Sequence, residues 1–269
     1  MIIDSHAHVN FNAFKNDGDD ILKKCLDNNV WVINVGSEYR TSKRAVEYAE
    51  KYDNGVYAAV GIHPIHLFSS SDVLPEEDVQ EEFDYAKYKK LALSNKVVAI
   101  GEVGLDYHHF KGVENISEIK EKQKKVFKEF VKLANELDKP VAIHCWDAYD
   151  DLLEILKKCP VNKCGVIHSF IGTWKMAQEF IDLGYKIGLN GIVTYSESYD
   201  KLIRNIDLKN IIVETDCPYL APKPLDRDSR NEPMNVKYVA EKIAHIKNIE
   251  VSEAEKTTTE NAKKLFGIK

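Results

Sequence analysis

The stretch "MIIDSHAHVN" at residues 1–10 joins an apolar run to three titratable side chains on alternate positions. The apolar run predicts a buried strand, and side chains at alternate positions of a strand point to the same face. Asp4, His6 and His8 are therefore predicted to line up, with the two imidazoles able to reach a single point. If these two imidazoles bind a ligand, other parts of the sequence should contribute further polar groups near that point.

Short β-branched runs recur along the chain, separated by helical stretches. They are mostly apolar without strict alternation, which is typical of strands buried on both faces. Alternating strands and helices predict βαβ units and a parallel sheet, and eight such units predict an α/β fold of the (β/α)8 TIM-barrel type. The predicted strands cover residues 1–9, 30–36, 56–63, 97–104, 140–145, 164–170, 185–191 and 210–216.

The predicted helices complete a single domain that spans residues 1–269. The clearest is an amphipathic helix over 117–138, and two helices follow the loop that begins after residue 217. The last of these is predicted to begin at Ser252 with Glu255 in a capping box. A doubly wound open sheet is the alternative fold, but no glycine-rich phosphate turn follows the first strand, as the dinucleotide-binding version requires.

Composition limits the classes of function. The net charge is −6, from 37 basic and 43 acidic residues, so a large basic surface does not hold nucleic acid to this protein. The apolar runs are too short to span a membrane, and the N-terminus lacks the pattern of a secretory signal. Five cysteines without paired CxxC spacing indicate a reducing compartment, so we expect a cytoplasmic protein with no membrane and no obligate protein partner.

Polar side chains occupy the carboxyl ends of most predicted strands, where the active sites of such barrels lie. A lone histidine at a strand end is more often structural than functional. Here, however, a separate structural explanation would be needed for each of several histidines and acids. An ionised carboxylate removed from water without a partner is strongly disfavoured. Imidazoles and carboxylates together suit zinc, manganese or iron, and carboxylates also admit magnesium. The set comprises His6, His8, His63, Glu102, His144, His168 and Asp216.

These groups predict two divalent ions, Mg²⁺, Mn²⁺ or Zn²⁺. Without His63, the set offers six ligands. These are too many for one tetrahedral ion but suit two ions bridged by a carboxylate, for which Glu102 is the candidate. Such a pair activates a water and stabilises the leaving oxygen, and Asp216 can accept the proton of that water as general base. The predicted catalytic residues are therefore Glu102 and Asp216, and the predicted metal ligands are His6, His8, Glu102, His144, His168 and Asp216.

These motifs resemble those of the TatD family of metal-dependent deoxyribonucleases in the amidohydrolase superfamily. The resemblance implies a (β/α)8 barrel that uses one to two divalent metals to hydrolyse phosphodiester bonds of DNA, and it matches the six residues above to the metal ligands of the family. It rests on "DSHAHVN" (4–10), "VGIHP" (60–64), "IGEVGLDY" (100–107), "PVAIHCWDA" (140–148), "VIHSFIG" (166–172), "ETDCPYLAP" (214–222), "RNEP" (230–233) and "NAKKLFGI" (261–268).

Three segments depart from the family pattern. Cys145-Trp146-Asp147 stands where the family usually has a small residue and an arginine before the acid. The seventh strand reads "IGLNG" in place of a serine-rich segment, and "RDSRNEP" has one basic residue fewer than the usual loop. None of these changes touches a predicted ligand, so they bear on the substrate rather than on the metal site.

Two further side chains, His63 and Arg230, are predicted to bind substrate, although each could simply hold its own loop. Asp106 is predicted to orient a metal-bound histidine, and Tyr107 and Trp146 could stack on a base or pack at the barrel top. The leading hypothesis is hydrolysis of DNA, as single strands or at ends. The alternatives are a bimetallic amidohydrolase or esterase acting on another substrate, such as an aminoacylated nucleic acid, and a noncatalytic metal-bound scaffold.

Overall fold

Eight parallel strands form one sheet in sequence order, as the sequence predicted. The computed structural model describes residues 1–68 and 80–269. Each strand pairs in parallel with the next one along the chain. The strands are β1 (Ile2–Ala7), β2 (Val30–Val35), β3 (Val56–Val60), β4 (Val97–Asp106), β5 (Val141–Trp146), β6 (Gly165–Ile167), β7 (Lys186–Leu189) and β8 (Ile211–Val213).

Helices alternate with these strands and pack around them. Within the described ranges, none of the helices is long and apolar enough to cross a membrane. The α-helices are α1 (Gly18–Asp27), α2 (Tyr39–Ala49), α3 (Tyr85–Ala92), α4 (Ile116–Glu136), α5 (Tyr149–Lys158), α6 (Trp174–Asp182), α7 (Asp200–Asn205), α8 (Val236–Lys247) and α9 (Val251–Phe266).

The seam between β1 and β8 nearly closes the sheet into a barrel. The backbone amide of Asp216 donates to the carbonyl of His6 (2.8 Å), and that of His8 donates to the carbonyl of Cys217 (2.9 Å). The Ser5 hydroxyl also reaches the carbonyl of Val213 at the end of β8 (3.1 Å). The first and last strands are therefore neighbours, and the TIM-barrel prediction is confirmed.

The bounds of several elements differ from the prediction. β6 and β8 are only three residues long, because the regular ladder pairing ends at Ile167 and Val213, although single backbone hydrogen bonds continue beyond both strands. β4 is longer than predicted and ends at Asp106, which pairs with Trp146 of β5. The capping box at Ser252 is wrong, since α9 begins at Val251 and its N-cap, Glu250, makes no side-chain cap.

An apolar plug fills the barrel interior, and α9 covers its N-terminal end. The Thr259 hydroxyl of α9 donates to the carbonyl of Met1, and the Asn261 amide donates to those of Leu208 and Ile211. α9 therefore crosses the starts of β1 and β8. The plug comprises Ile3, Ile33, Val35, Tyr57, Ala59, Ala99, Ala142, Val166 and Ile212 from the strands, with Ala262 and Phe266 from α9 and Ile268 after it.

Candidate metal centre

Glu102 of β4 lies at the centre of the polar cluster at the opposite end of the barrel, and it is only 3% exposed. Its Oε2 lies 3.3 Å from His6 Nε2 and 3.8 Å from His8 Nε2. Its Oε1 lies 3.1 Å from His144 Nδ1 and 3.0 Å from His168 Nε2. The two oxygens of one carboxylate therefore face different sets of imidazoles.

Asp216, which follows β8, joins the cluster on the Oε2 side. Its Oδ1 lies 3.2 Å from His8 Nε2 and 3.9 Å from His6 Nε2. The side chain of Asp216 is 16% exposed, against 4% for that of Glu102. Asp216 is therefore the carboxylate of this pair that solvent reaches more easily.

Three of the imidazoles are held from behind by an acceptor. His8 Nδ1 lies 2.8 Å from the carbonyl of Val35, and His144 Nε2 lies 2.9 Å from Asp106 Oδ2. Asp106 therefore contacts the ring that the sequence predicted it would orient. Binding one ring nitrogen in this way fixes the orientation of the ring and leaves its other nitrogen for the cluster.

Glu214 does the same for His168, and the sequence analysis gave it no role. It is 0% exposed, its Oε1 lies 3.1 Å from His168 Nδ1, and it accepts a hydrogen bond from the amide of Ser169 (2.6 Å). A signal was present, because a carboxylate at the end of a strand buried on both faces needs a partner.

His6 provides a test of whether these residues fit a cation. Both of its ring nitrogens are buried without a hydrogen-bond partner among the described residues, whereas buried polar atoms are almost always satisfied. The His6 ring stacks on that of His168 with centroids 3.7 Å apart, which gives neither nitrogen an acceptor. A divalent cation is the ligand that a buried imidazole with a carboxylate beside it accommodates best. The residues present therefore fit a metal.

Among the described residues the donor atoms converge in three groups, two of which share His6, and within each group they lie within 4.8 Å of one another. Only nitrogen and oxygen donors take part, a combination that suits zinc and manganese. The groups are His6, His8 and Asp216; His6, His168 and Glu214; and His63, Glu102 and His144. The site is thus a candidate metal centre, assembled from the ends of β1, β4, β5, β6 and β8 and from the segment after β3.

Two carboxylates of the cluster, Glu102 and Asp216, have pKa values below their usual range. Burial opposes ionisation of Glu102, but the surrounding imidazoles, His63 and His168 foremost, hold its pKa well below its usual value. Burial likewise opposes ionisation of Asp216, yet His168 and the hydrogen bond from His8 lower its pKa to about 2. The cluster therefore offers negative oxygens over the whole neutral range.

The imidazoles respond to the same charges in two ways. Burial works against their protonation, but the carboxylates outweigh it at His144, whose pKa rises to about 9, and at His8 and His168, whose pKa values also rise. At His6 and His63 burial prevails, helped by a neighbouring imidazole, and the pKa falls.

A cavity of about 600 Å³ opens onto the cluster. His63, after β3, lies on its wall with Nε2 3.5 Å from Glu102 Oε1, so the structure brings this predicted substrate residue to the site. Trp146 lies on the wall with its ring stacked against that of His109, centroids 5.2 Å apart. The cavity thus combines the polar cluster with aromatic side chains.

Arg230 is not among the residues that line this cavity. Its guanidinium donates to both carboxylate oxygens of Asp17 (3.0 and 2.6 Å) and to the carbonyl of Ala13 (2.9 Å). Its neighbour Asn231, 0% exposed, donates to the carbonyls of Thr215 and Tyr219. The geometry therefore favours the structural alternative for Arg230, and contact with substrate stays a prediction.

Asp4, the first of the three alternate titratable residues near the N-terminus, hydrogen-bonds neighbouring groups and does not belong to the three groups of converging donors. Its carboxylate accepts hydrogen bonds from the amide (2.9 Å) and hydroxyl (2.5 Å) of Thr215. The register of β1 against β2 shifts between Asp4 and Ala7, which interrupts the simple alternation of side chains. Asp4 therefore secures the seam with the segment after β8, and burial raises its pKa well above the usual value.

A nearly closed parallel barrel with imidazoles and carboxylates at its carboxyl end defines the class of metal-dependent TIM-barrel hydrolases. The chain belongs to the TatD family, because residues 3–267 match the family profile described as "TatD related DNase". This confirms the resemblance that the motifs predicted.

Individual relatives support the assignment to the TatD family. The chain is 38% identical to YabD of Bacillus subtilis, named as an uncharacterized metal-dependent hydrolase, with 100% of both chains covered. It is 33% identical to YcfH of Escherichia coli, which carries the same description, over 100% of this chain and 96% of that one. Among solved structures, the TatD homologue YjjV of Escherichia coli has a TM-score of 0.85 at 27% identity and covers 100% of this chain and 98% of that one.

Proposed function

We propose that this metal-dependent hydrolase cleaves phosphodiester bonds of DNA, acting on single strands or ends. The observation that carries the proposal is the position of Glu102, whose two oxygens face separate sets of imidazoles. A shared carboxylate of this kind is typical of two-metal hydrolases that act on phosphate esters. The family profile, described as that of a DNase, supports the same substrate.

We assign the ions to the two sides of Glu102. His6, His8 and Asp216 would hold one ion with Oε2, and His144 and His168 would hold the other with Oε1. Divalent ions such as Mg²⁺, Mn²⁺ or Zn²⁺ would supply Lewis acidity there and would lower the pKa of a bound water. The proposed ligands are His6, His8, Glu102, His144, His168 and Asp216.

Asp216 is assigned the role of general base. Its low pKa keeps it ionised at neutral pH, and its side chain is the more exposed of the two central carboxylates. It can therefore accept the proton of a water that attacks a phosphate held in the cavity. Asp106 and Glu214 hold His144 and His168 from behind, which keeps the cluster in one geometry.

We also propose a cytoplasmic location and no obligate protein partner. All five cysteines are free, and burial raises the pKa values of Cys145 and Cys217, which makes them poor nucleophiles and poor metal ligands. Free thiols persist where the compartment is reducing.

Cleavage of end-labelled single-stranded DNA tests this function, with Mg²⁺, Mn²⁺ or EDTA and with an Asp216→Asn variant. We expect cleavage with metal, none with EDTA, and a loss of about 10²–10⁴-fold in kcat for the variant. Asp228→Asn is the matched control, because Asp228 is an exposed residue of the loop after β8 and should behave like the unmodified protein.

Three outcomes would contradict the proposal. Cleavage that survives chelation, or that is unchanged in Asp216→Asn, would exclude the mechanism. Metal-dependent hydrolysis of an amide or of an aminoacyl ester, with no cleavage of DNA, would replace it by the alternative that the sequence left open.

A further inference from the structure

The cavity over the cluster has a single arginine or lysine on its described wall, Arg40. DNA is a polyanion, and the net charge of −6 gives the protein as a whole no attraction for it. Besides the ions proposed at Glu102, any positive charge that holds a strand in this cavity must therefore come from a local side chain. Arg40 is the side chain placed to provide it.

The base of Arg40 is firmly held. It belongs to the first turn of α2, whose N-cap, Glu38, accepts hydrogen bonds from the amides of Arg40 (2.6 Å) and Thr41 (2.9 Å). The same carboxylate accepts from Arg40 Nε (3.3 Å), and Glu38 is only 5% exposed. One nitrogen of the guanidinium is therefore anchored to a buried, fixed carboxylate.

Within residues 1–68 and 80–269, the other two nitrogens of Arg40 have no hydrogen-bond or ion-pair partner. Among the described residues, Glu38 is its one ion-pair partner, contacted through Nε alone, and the side chain is 58% exposed. An arginine anchored at Nε presents its two terminal nitrogens as a planar fork that matches the oxygens of a phosphate. In Arg230, by contrast, both terminal nitrogens already donate to Asp17.

The position of Arg40 also determines which phosphate it can reach. It makes no ion pair with Glu102 or Asp216 within the described part of the chain, so it lies on the wall beyond direct contact with the cluster. The phosphate that reacts has to lie at the cluster itself. A phosphate at Arg40 is therefore a different one, on the same substrate.

We infer that Arg40 binds a second phosphate of the strand, and that the enzyme prefers oligonucleotides to diesters that carry one phosphate. This inference rests on the proposed function, since it needs the reacting phosphate at the cluster.

The salt dependence of oligonucleotide binding tests whether Arg40 contacts a phosphate. A fluorescent deoxythymidine octamer is titrated by anisotropy at several salt concentrations in an Asp216→Asn background, in which cleavage is expected to be slow compared with the measurement. We expect Arg40→Gln to weaken binding about tenfold and to reduce the slope of log K against log salt by about 0.7, the value for one phosphate contact on a single strand. Arg40→Lys should keep the slope but not the full affinity, because it retains the charge without the fork.

Lys43→Gln is the matched control. It removes one positive charge from the same helix, at a side chain that is 59% exposed, pairs with Glu47 and is absent from the cavity wall. An equal loss of slope in Lys43→Gln and Arg40→Gln would show a general charge effect and overturn the inference. The inference would also be overturned if the Asp216→Asn protein that retains Arg40 does not bind the octamer.

Kinetics separate this inference from the proposed function. The ratio of kcat/KM for the octamer to that for bis(4-nitrophenyl) phosphate should fall about tenfold in Arg40→Gln, mainly through KM for the octamer. If the unmodified protein cleaves neither substrate with any metal, the proposed function fails. If it cleaves both and the ratio is unchanged in Arg40→Gln, only the role of Arg40 fails.

Discussion

The two ends of the barrel use the same eight strands in opposite ways. At one end α9 covers apolar side chains such as Ile3, Ile212 and Phe266, which are almost wholly removed from water. At the other end the buried side chains are imidazoles and carboxylates, with Glu102 3% exposed and Glu214 0% exposed. Burying apolar surface stabilises the fold, whereas burying charged groups costs stability unless each is paired. The covered end therefore supports the fold, and the open end carries the function.

The largest effect on stability is expected from Phe266→Ala at the covered end. The Phe266 side chain is 5% exposed and packs against the apolar plug, so its removal should lower the free energy of unfolding by about 3 kcal/mol. Chemical denaturation measures this, and kcat for DNA in buffer should stay unchanged. A loss of kcat without a loss of stability in Phe266→Ala would contradict the conclusion that the covered end supports the fold and the open end carries the function.

A smaller effect is expected from Glu214→Gln at the open end. The amide keeps the size of the side chain but removes the charge that holds His168, so metal affinity should fall about 10–100-fold. The concentration of Mn²⁺ needed to raise the Tm measures this affinity. Glu253→Gln on the exposed face of α9 is the control, and equal Mn²⁺ dependence in the two variants would show that Glu214 does not position a ligand.

The smallest effect is expected from Arg230→Gln, which tests the structural role of that residue. The hydrogen bond from Arg230 lowers the pKa of Asp17. A carboxyl whose pKa is lower in the folded state contributes stability above its unfolded pKa, and that stability is lost as the pH falls through the lowered value. The variant should therefore melt slightly below the unmodified protein at pH 7 and match it in strong acid.

Comparing the two melting temperatures across that pH range provides the check. A difference that persists below the pKa of Asp17 would show that Arg230 acts through the Ala13 carbonyl or the Phe14 ring, which it also contacts. A difference that grows on acidification would contradict the role of the ion pair.

Much of the candidate site could be predicted from single positions. His6, Glu102 and His168 stood out because each interrupts an apolar strand, and the motifs around them matched the TatD family over the whole chain. The order of elements was also predictable, since eight alternating strands and helices can form a closed parallel barrel in few arrangements. The metals, the roles in catalysis and the DNA substrate remain proposals that the experiments above address.

Positions whose role depends on a distant partner could not be predicted. Glu214 was missed because the neighbour that explains it, His168, lies 46 positions away along the chain. Arg230 was assigned to substrate because nothing in its own segment shows that Asp17 engages its guanidinium. The capping box at Ser252 failed for a similar reason, because α9 is positioned by its packing against the barrel and not by its cap alone.

The sequence by itself determined the class of fold and the kinds of groups at the strand ends, because hydrophobic pattern and residue chemistry are local properties. Only the tertiary structure decided which oxygen of Glu102 faces which imidazole, and that Arg40 rather than Arg230 lies on the wall of the cavity. These facts depend on how distant segments approach one another when the barrel closes, since the direction of a side chain is set by its neighbours in space.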